Sequence, residues 1–123
     1  MEVSAVLITH NEEVNLSRVL EKLRWCEDVI VVDSGSTDAT RKIALQFGAR
    51  VLHREFEDFS DQKNFADQHA FHNWILSLDA DEVPSDDLSA SLQQIKANGA
   101  SCAAYRFSRK AFYLGKWIHH SGW

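Results

Sequence analysis

Short apolar runs alternate with amphipathic stretches along this chain, and that rhythm predicts an α/β fold before any single residue is interpreted. Residues 3–8 and 29–32 are nearly unbroken apolar runs, too short and too β-branched for helices, and they read as strands covered on both faces. Trp74-Ile75-Leu76-Ser77-Leu78 repeats the pattern and then stops on Asp79, Asp81 and Glu82. Leu16, Val19, Leu20 and Leu23 recur at i, i+3, i+4 and i+7, the stripe of a helix lying on a sheet. Asn11 is placed to cap that helix, and Glu12 and Glu13 favour its N-terminus electrostatically. A second helix is expected over residues 38–47, with Gly48 as its left-handed stop. Residues 49–52 form a short strand, and Ser60 caps a third helix carrying Phe65, Ala66, His69 and Ala70. Pro84 and Ser85 open a fourth helix, which bears Leu88, Leu92 and Ile95 and ends at Asn98-Gly99. Residues 103–109 read as a further strand, and the aromatic segment 112–118 as strand or loop.

Strands joined by helices imply a parallel sheet with right-handed crossovers, so the strand ends lie along one edge. Three polar turns then meet: residues 9–12, 33–38 and 79–82. Ligands of such sheets bind at that edge, where the strand order reverses. Ten aspartates in 123 residues give roughly 0.8 Asp-x-Asp matches by chance. The weight of Asp79 and Asp81 therefore comes from the buried strand before them and the two turns beside them. On an extended chain both would point to one side with Ala80 leaving room, two hard oxygen donors suited to Mg2+ or Mn2+ on a diphosphate. The Gly35 turn, with backbone, hydroxyls and Asp33, suits a base or ribose. A nucleotide diphosphate fits this inventory. Plainer readings stand beside these: Asp33 as a turn-forming carboxylate, Asn11 as a helix cap, Lys63 as a surface lysine, and most Phe and Trp residues as core.

Composition narrows the classes further. With 45% apolar and 25% charged residues, the chain is one ordinary globular domain by size. A net charge of −5 without any block of like charges argues against nucleic acid as partner. Cys26 and Cys102 lack the spacing of a disulfide framework or zinc site, which suggests a reducing cytoplasm and two buried thiols. No run of 18 apolar residues and no export signal occurs, so a transmembrane segment is not expected, while peripheral attachment at the inner face of a membrane stays open. The aromatic ending Ser121-Gly122-Trp123 suggests the front part of something longer.

The motifs Thr9-His10-Asn11-Glu12-Glu13, Val31-Val32-Asp33-Ser34-Gly35-Ser36-Thr37-Asp38 and Leu78-Asp79-Ala80-Asp81-Glu82 resemble those of inverting family 2 glycosyltransferases. Gln62-Lys63-Asn64 and Leu114-Gly115-Lys116-Trp117-Ile118 narrow the likeness to lipopolysaccharide core β-glucosyltransferases. The resemblance implies a Rossmann-like, three-layer nucleotide-diphospho-sugar transferase (GT-A type) fold with a mainly parallel sheet, here the N-terminal, donor-binding part. It implies a nucleotide-sugar donor such as UDP-glucose, a glycan or lipid-linked glycan acceptor, and a Mg2+ or Mn2+ cofactor. Thr9, Asn11, Glu12, Asp33, Lys63 and Asp79 would bind the donor, with Asp33 on the uracil. Asp79 and Asp81 would hold the metal. The general base would lie beyond residue 123, and Ser34 stands where many relatives carry a second acid. A non-catalytic nucleotide-sugar-binding module is the alternative. A phosphoacceptor receiver domain fits less well, because its paired acids would follow the first strand.

Overall fold

The computed structural model describes residues 1–102, 104–106 and 113–116, without the side chains of Arg106 and Tyr113. In chain order the elements are β1 (Val3–Thr9), α1 (Leu16–Glu21), β2 (Asp28–Asp33), α2 (Thr40–Gln46), β3 (Arg50–His53), α3 (Phe59–His69), β4 (Trp74–Ser77), α4 (Asp86–Asn98), β5 (Ala104–Arg106) and β6 (Tyr113–Lys116). They build one six-stranded sheet of order β3-β2-β1-β4-β6-β5. The first four strands of that order are parallel, and β6 pairs antiparallel with both β4 and β5. The chain moves outward from β1 to β3, then returns to place β4 on the other side of β1. The order therefore reverses between β1 and β4, and the expected ligand edge lies above that gap.

Side-chain alternation along the strands feeds two cores. Val3, Ala5 and Leu7 of β1, Val31 and Leu76 pack with Leu16, Val19 and Leu20 of α1, Ala44 of α2 and Leu92 of α4. On the opposite face Val6, Ile30, Val32 and Ile75 pack with Ala66 of α3. The fold is thus three-layered, with the sheet in the middle. Each fully buried leucine here, such as Leu7, Leu16 or Leu76, contributes about 2 kcal/mol through loss of apolar surface to water.

At the N-terminal edge of the sheet, buried Asp28 gathers the structure into a knot. Its carboxylate accepts hydrogen bonds from Ser4 Oγ at 2.9 Å, from Arg50 Nε and Nη2 at 3.0 Å each, and from the Phe71 backbone at 3.0 Å. Arg50 also lies over the Phe71 ring, 3.6 Å from its centroid. Burial pushes the Asp28 pKa up, but these donors outweigh it and hold the group below the ordinary carboxylate value.

Several local expectations need correction. Asn11 does not cap α1, which begins at Leu16; it adopts a left-handed backbone (φ 53°), a conformation asparagine tolerates better than most residues. The Glu12 carbonyl instead receives the first turn, from the Asn15 and Leu16 amides. The cap of α3 is Asp58, whose side chain accepts from the Asp61 amide at 2.7 Å, and Ser60 is already helical. Neither thiol is fully buried: Cys26 is half-buried, and desolvation pushes its pKa to about 12, whereas Cys102 is exposed. Ser85 caps α4 and Gly48 has φ +80°, both as expected. Residues 103, 107–109 and 112 of the expected strands, together with Trp117, Ile118, His119, His120 and Trp123, lie outside the described residues.

Candidate active site

Thr9 and Asp33 end β1 and β2 as paired neighbours in the parallel register. Asp33 is fully buried. Its Oδ1 accepts from Thr9 Oγ1 at 2.8 Å and from the Ser36 hydroxyl. Its Oδ2 accepts from the Gly35 amide at 3.1 Å and the Ser36 amide at 2.8 Å. Burial alone would raise its pKa, yet these four donors hold it below the usual carboxylate range. The turn needs Gly35, whose φ is +96°, a conformation that penalises a side chain. Asp33 thus reaches the ligand edge with its carboxylate aimed into its own turn, and in this conformation it presents no oxygen to the cleft.

The β1–α1 and β2–α2 turns are laced to each other. The Asn11 amide donates to Ser36 Oγ at 2.8 Å, and Asn11 Oδ1 accepts from the Thr37 amide at 2.9 Å. The Glu12 amide donates to Thr40 Oγ1 at 2.8 Å, and Glu13 Oε2 accepts from the Ala39 amide at 3.1 Å. Asn11 is therefore a bracket between loops, a role the sequence reading divided between helix cap and ligand contact.

Across the reversal point, Asp79 and Asp81 follow β4. They do not continue it as an extended chain: the Glu82 amide donates to the Asp79 carbonyl at 3.2 Å, closing a turn with Ala80 and Asp81 at its centre. The alternation argument for their common direction fails there, but their carboxylates share one field. Burial raises the Asp79 pKa, with Asp81 and Glu82 adding to the rise and Lys63 opposing it. Burial also raises that of Glu12, and Asp81, Asp38 and Asp79 add to it. Glu12 from the first turn and the Asp79–Asp81 pair from the third thus form one concentration of negative charge. Lys63 reaches it from α3, its Nζ donating to Ser77 Oγ at 2.9 Å. Among the described residues no three acid, histidine or cysteine side chains converge closely enough to hold a metal ion alone. Two hard carboxylates that need further oxygen ligands are the donor set Mg2+ or Mn2+ takes when a phosphate chain completes the shell, so the residues fit that group.

Beside the ends of β1 and β2 lies an open cleft of about 660 Å³ lined by Thr9, His10, Glu12, Ser34, Phe56 and Phe59, among others. Ser34 Oγ and His10 Nδ1, both in its lining, are hydrogen-bonded to each other at 3.2 Å. Phe56 and Phe59, which line the same cleft, are exposed, although the pattern of apolar residues puts most phenylalanines in the core. One signal for them is present: in Glu55-Phe56-Glu57-Asp58-Phe59 the two aromatics are set among three acids, in a stretch that fits neither a core strand nor a core helix face. No helix among the described residues is long and apolar enough to cross a membrane.

Comparison with known proteins agrees with this geometry. An uncharacterized glycosyltransferase of Rickettsia typhi is 35% identical over 117 residues, covering 93% of this chain and 40% of the relative. A lipopolysaccharide core biosynthesis glycosyltransferase, LpsC, of Rhizobium meliloti is 28% identical over 120 residues, covering 94% and 44%. The chain thus spans less than half the length of these relatives. Among solved structures, glucosyl-3-phosphoglycerate synthase from Mycobacterium tuberculosis, in complex with Mn2+, UDP and glucosyl-3-phosphoglycerate, superposes with a TM-score of 0.54 and 26% identity, over 64% of this chain and 33% of that one. With the family model for glycosyl transferase family 2 matching residues 4–123, the chain belongs to glycosyltransferase family 2.

Proposed function

We propose that this chain is the donor-binding part of a longer, inverting glycosyltransferase that passes a hexose from a nucleotide diphosphate, with UDP-glucose as the leading donor, to a glycan hydroxyl such as one of a lipopolysaccharide core. The observation that carries this reading is the meeting of three strand-end turns at the β1/β4 reversal, one of them bearing Asp79 and Asp81. The relative that acts in lipopolysaccharide core biosynthesis and the neighbour that holds UDP and Mn2+ support it. Free thiols at Cys26 and Cys102 fit a reducing, cytoplasmic setting.

In this reading Asp79 and Asp81 hold a divalent cation, which, when bound, neutralises charge growing on the departing diphosphate. Lys63, anchored on Ser77 beside Asp79, adds a fixed positive charge near the same phosphates. Glu12 faces the pair and tunes its charge. Thr9 and Asn11 position the turns that receive the donor, Thr9 through its hydroxyl on Asp33 and Asn11 through its Oδ1 on the Thr37 amide, and Asp33 shapes the second turn from within. Deprotonation of the acceptor hydroxyl, needed for in-line attack at the anomeric carbon, is assigned to the acceptor-binding part beyond residue 123.

Calorimetric titration with UDP, with and without Mn2+, tests the reading. The expected outcome is metal-dependent binding that Asp81→Ala loses. Equal UDP affinity with and without metal, or an undiminished metal effect in Asp81→Ala, would overturn it.

A further inference from the structure

Helix α3 descends from the ligand edge and carries an acid that the site described above does not use. Its first turn is tied to the end of β2: the Arg54 amide donates to the Asp33 carbonyl at 3.0 Å, and the Gln62 side chain donates to the Arg54 carbonyl at 3.0 Å. Past its last turn, the Phe71 amide reaches Asp28 at the opposite edge of the sheet. Lys63 and Asp67 are four residues apart on this helix. They therefore share one face, with Asp67 about 6 Å further from the ligand edge.

A lysine and an aspartate at that spacing on an exposed surface form a pair of small consequence. Here the ammonium is engaged elsewhere and the carboxylate is not solvated. Lys63 Nζ donates to Ser77 Oγ at 2.9 Å, two residues before Asp79, while Asp67 Oδ1 is buried with no hydrogen-bond partner. Burial raises the pKa of Asp79 and takes that of Asp67 to about 6, and in both the Lys63 charge opposes the rise. For Asp67, Lys63 is the charged group that acts on it. One ammonium thus stands between an acid of the metal pair and an acid one turn behind it. Leaving a buried carboxylate oxygen without a donor costs stability, and no fold element among those described is capped or bridged by this group in return.

We infer that Asp67 is a counterweight to Lys63, a positioning residue that offsets part of the ammonium's charge at the diphosphate and so loosens the hold on the departing nucleotide. This rests on the nucleotide-sugar reading above, which sets Lys63 beside the phosphates. Asp67 acts through Lys63 and not on the donor itself. Ionised, it leaves the lysine with little net charge to offer; protonated, it leaves the full positive charge facing the phosphates. Tempering the cation favours release of the diphosphate product, a step that limits turnover in many enzymes.

The test is calorimetric titration of UDP with Mn2+ on wild type, Asp67→Asn, Lys63→Met and the double variant, with thermal melting to check that each folds. A unit charge removed one helical turn from the ammonium, with partial screening, corresponds to a change in affinity of about three- to tenfold. The expected result is UDP binding tighter by that factor in Asp67→Asn at pH 7.5, where the wild-type carboxylate is ionised. The gap should close near pH 5, where it is protonated, and should be absent when Asp67→Asn is placed on Lys63→Met. A merely structural role would move the melting temperature and leave this pH-dependent gap out. UDP affinity in Asp67→Asn within twofold of wild type at pH 7.5, or weaker, overturns the counterweight while the donor reading stands. So does a gap that persists near pH 5 or in the Lys63→Met background. Wild type that binds no UDP overturns the nucleotide-sugar reading and the counterweight with it.

Discussion

Replacing Asp33 separates its two readings, because its four hydrogen bonds are chemically unequal. Oδ2 faces two backbone amides, which can only donate, while Oδ1 faces the hydroxyls of Thr9 and Ser36, which can turn and accept. Asparagine can keep its oxygen toward the amides and aim its NH2 at the hydroxyls. Asp33→Asn therefore costs only the charge-assisted part of the bonds, about 1–2 kcal/mol. Alanine leaves two amides and two hydroxyls buried without the acceptor that organises them, and about 3–5 kcal/mol is expected. For a chain of 123 residues each kcal/mol lowers Tm by about 3–5 °C, so the alanine variant melts about 10–20 °C lower and the asparagine variant only a few degrees lower. Differential scanning calorimetry at pH 7 reads both, with UDP titration at a temperature where each variant is folded. Because the Asp33 pKa is depressed, its contribution is complete above the unfolded value near 3.9 and is lost as pH falls through the folded value. The gap between wild type and alanine variant should close on acidification. Melting temperatures unchanged in Asp33→Ala together with lost UDP binding would refute the turn-building role and make Asp33 a direct ligand contact.

Asp67 carries the opposite sign. Burial raises its pKa to about 6 against the pull of Lys63, and its Oδ1 is buried without a partner. The native state holds that proton more tightly than the unfolded chain does, so stability falls as pH rises from about 4 to 6 and stays reduced above. Asp67→Asn should gain about 1–2 kcal/mol at pH 7.5, after discounting for residual solvent screening, and nothing near pH 4; a pH-independent difference in Tm would contradict this. At the other end of β2, Arg50→Ala removes the main partner of buried Asp28 and should cost about 3 kcal/mol while leaving UDP affinity unchanged, since the knot lies at the opposite edge of the sheet. Chemical denaturation and titration of the same variant check both halves, and a change in UDP affinity would argue against that separation.

Much of the architecture was legible because it rests on periodicity. Val29 to Val32 and Trp74 to Ser77 have no soluble alternative to a covered strand, and Ser85 and Gly48 punctuate helices by local chemistry alone. The switch point followed from strand order, which only the parallel reading of those runs could suggest. Errors fell where long-range partners override local preference. Asn11 looks like a helix cap in isolation, but its side-chain Oδ1 accepts from the Thr37 amide 26 residues later. Asp79 and Asp81 follow a strand, but the chain turns at once, so no periodicity governs their directions. Phe56 and Phe59 look like core residues by type alone, because apolar content does not reveal which side of a loop faces solvent.

The lacing of the two turns has a consequence for how sequences of this kind can change. Asn11 and Glu13 in one motif meet Ser36, Thr37 and Ala39 in the other through hydrogen bonds that span 25 or 26 residues. A substitution that alters one motif strands a donor or acceptor in its counterpart, so the pair drifts together or not at all. For protein engineering the transplantable unit is therefore both turns with the β1–β2 pair beneath them. A chimera that imports the first motif without the second should fold poorly, whatever its parents' affinities for the donor.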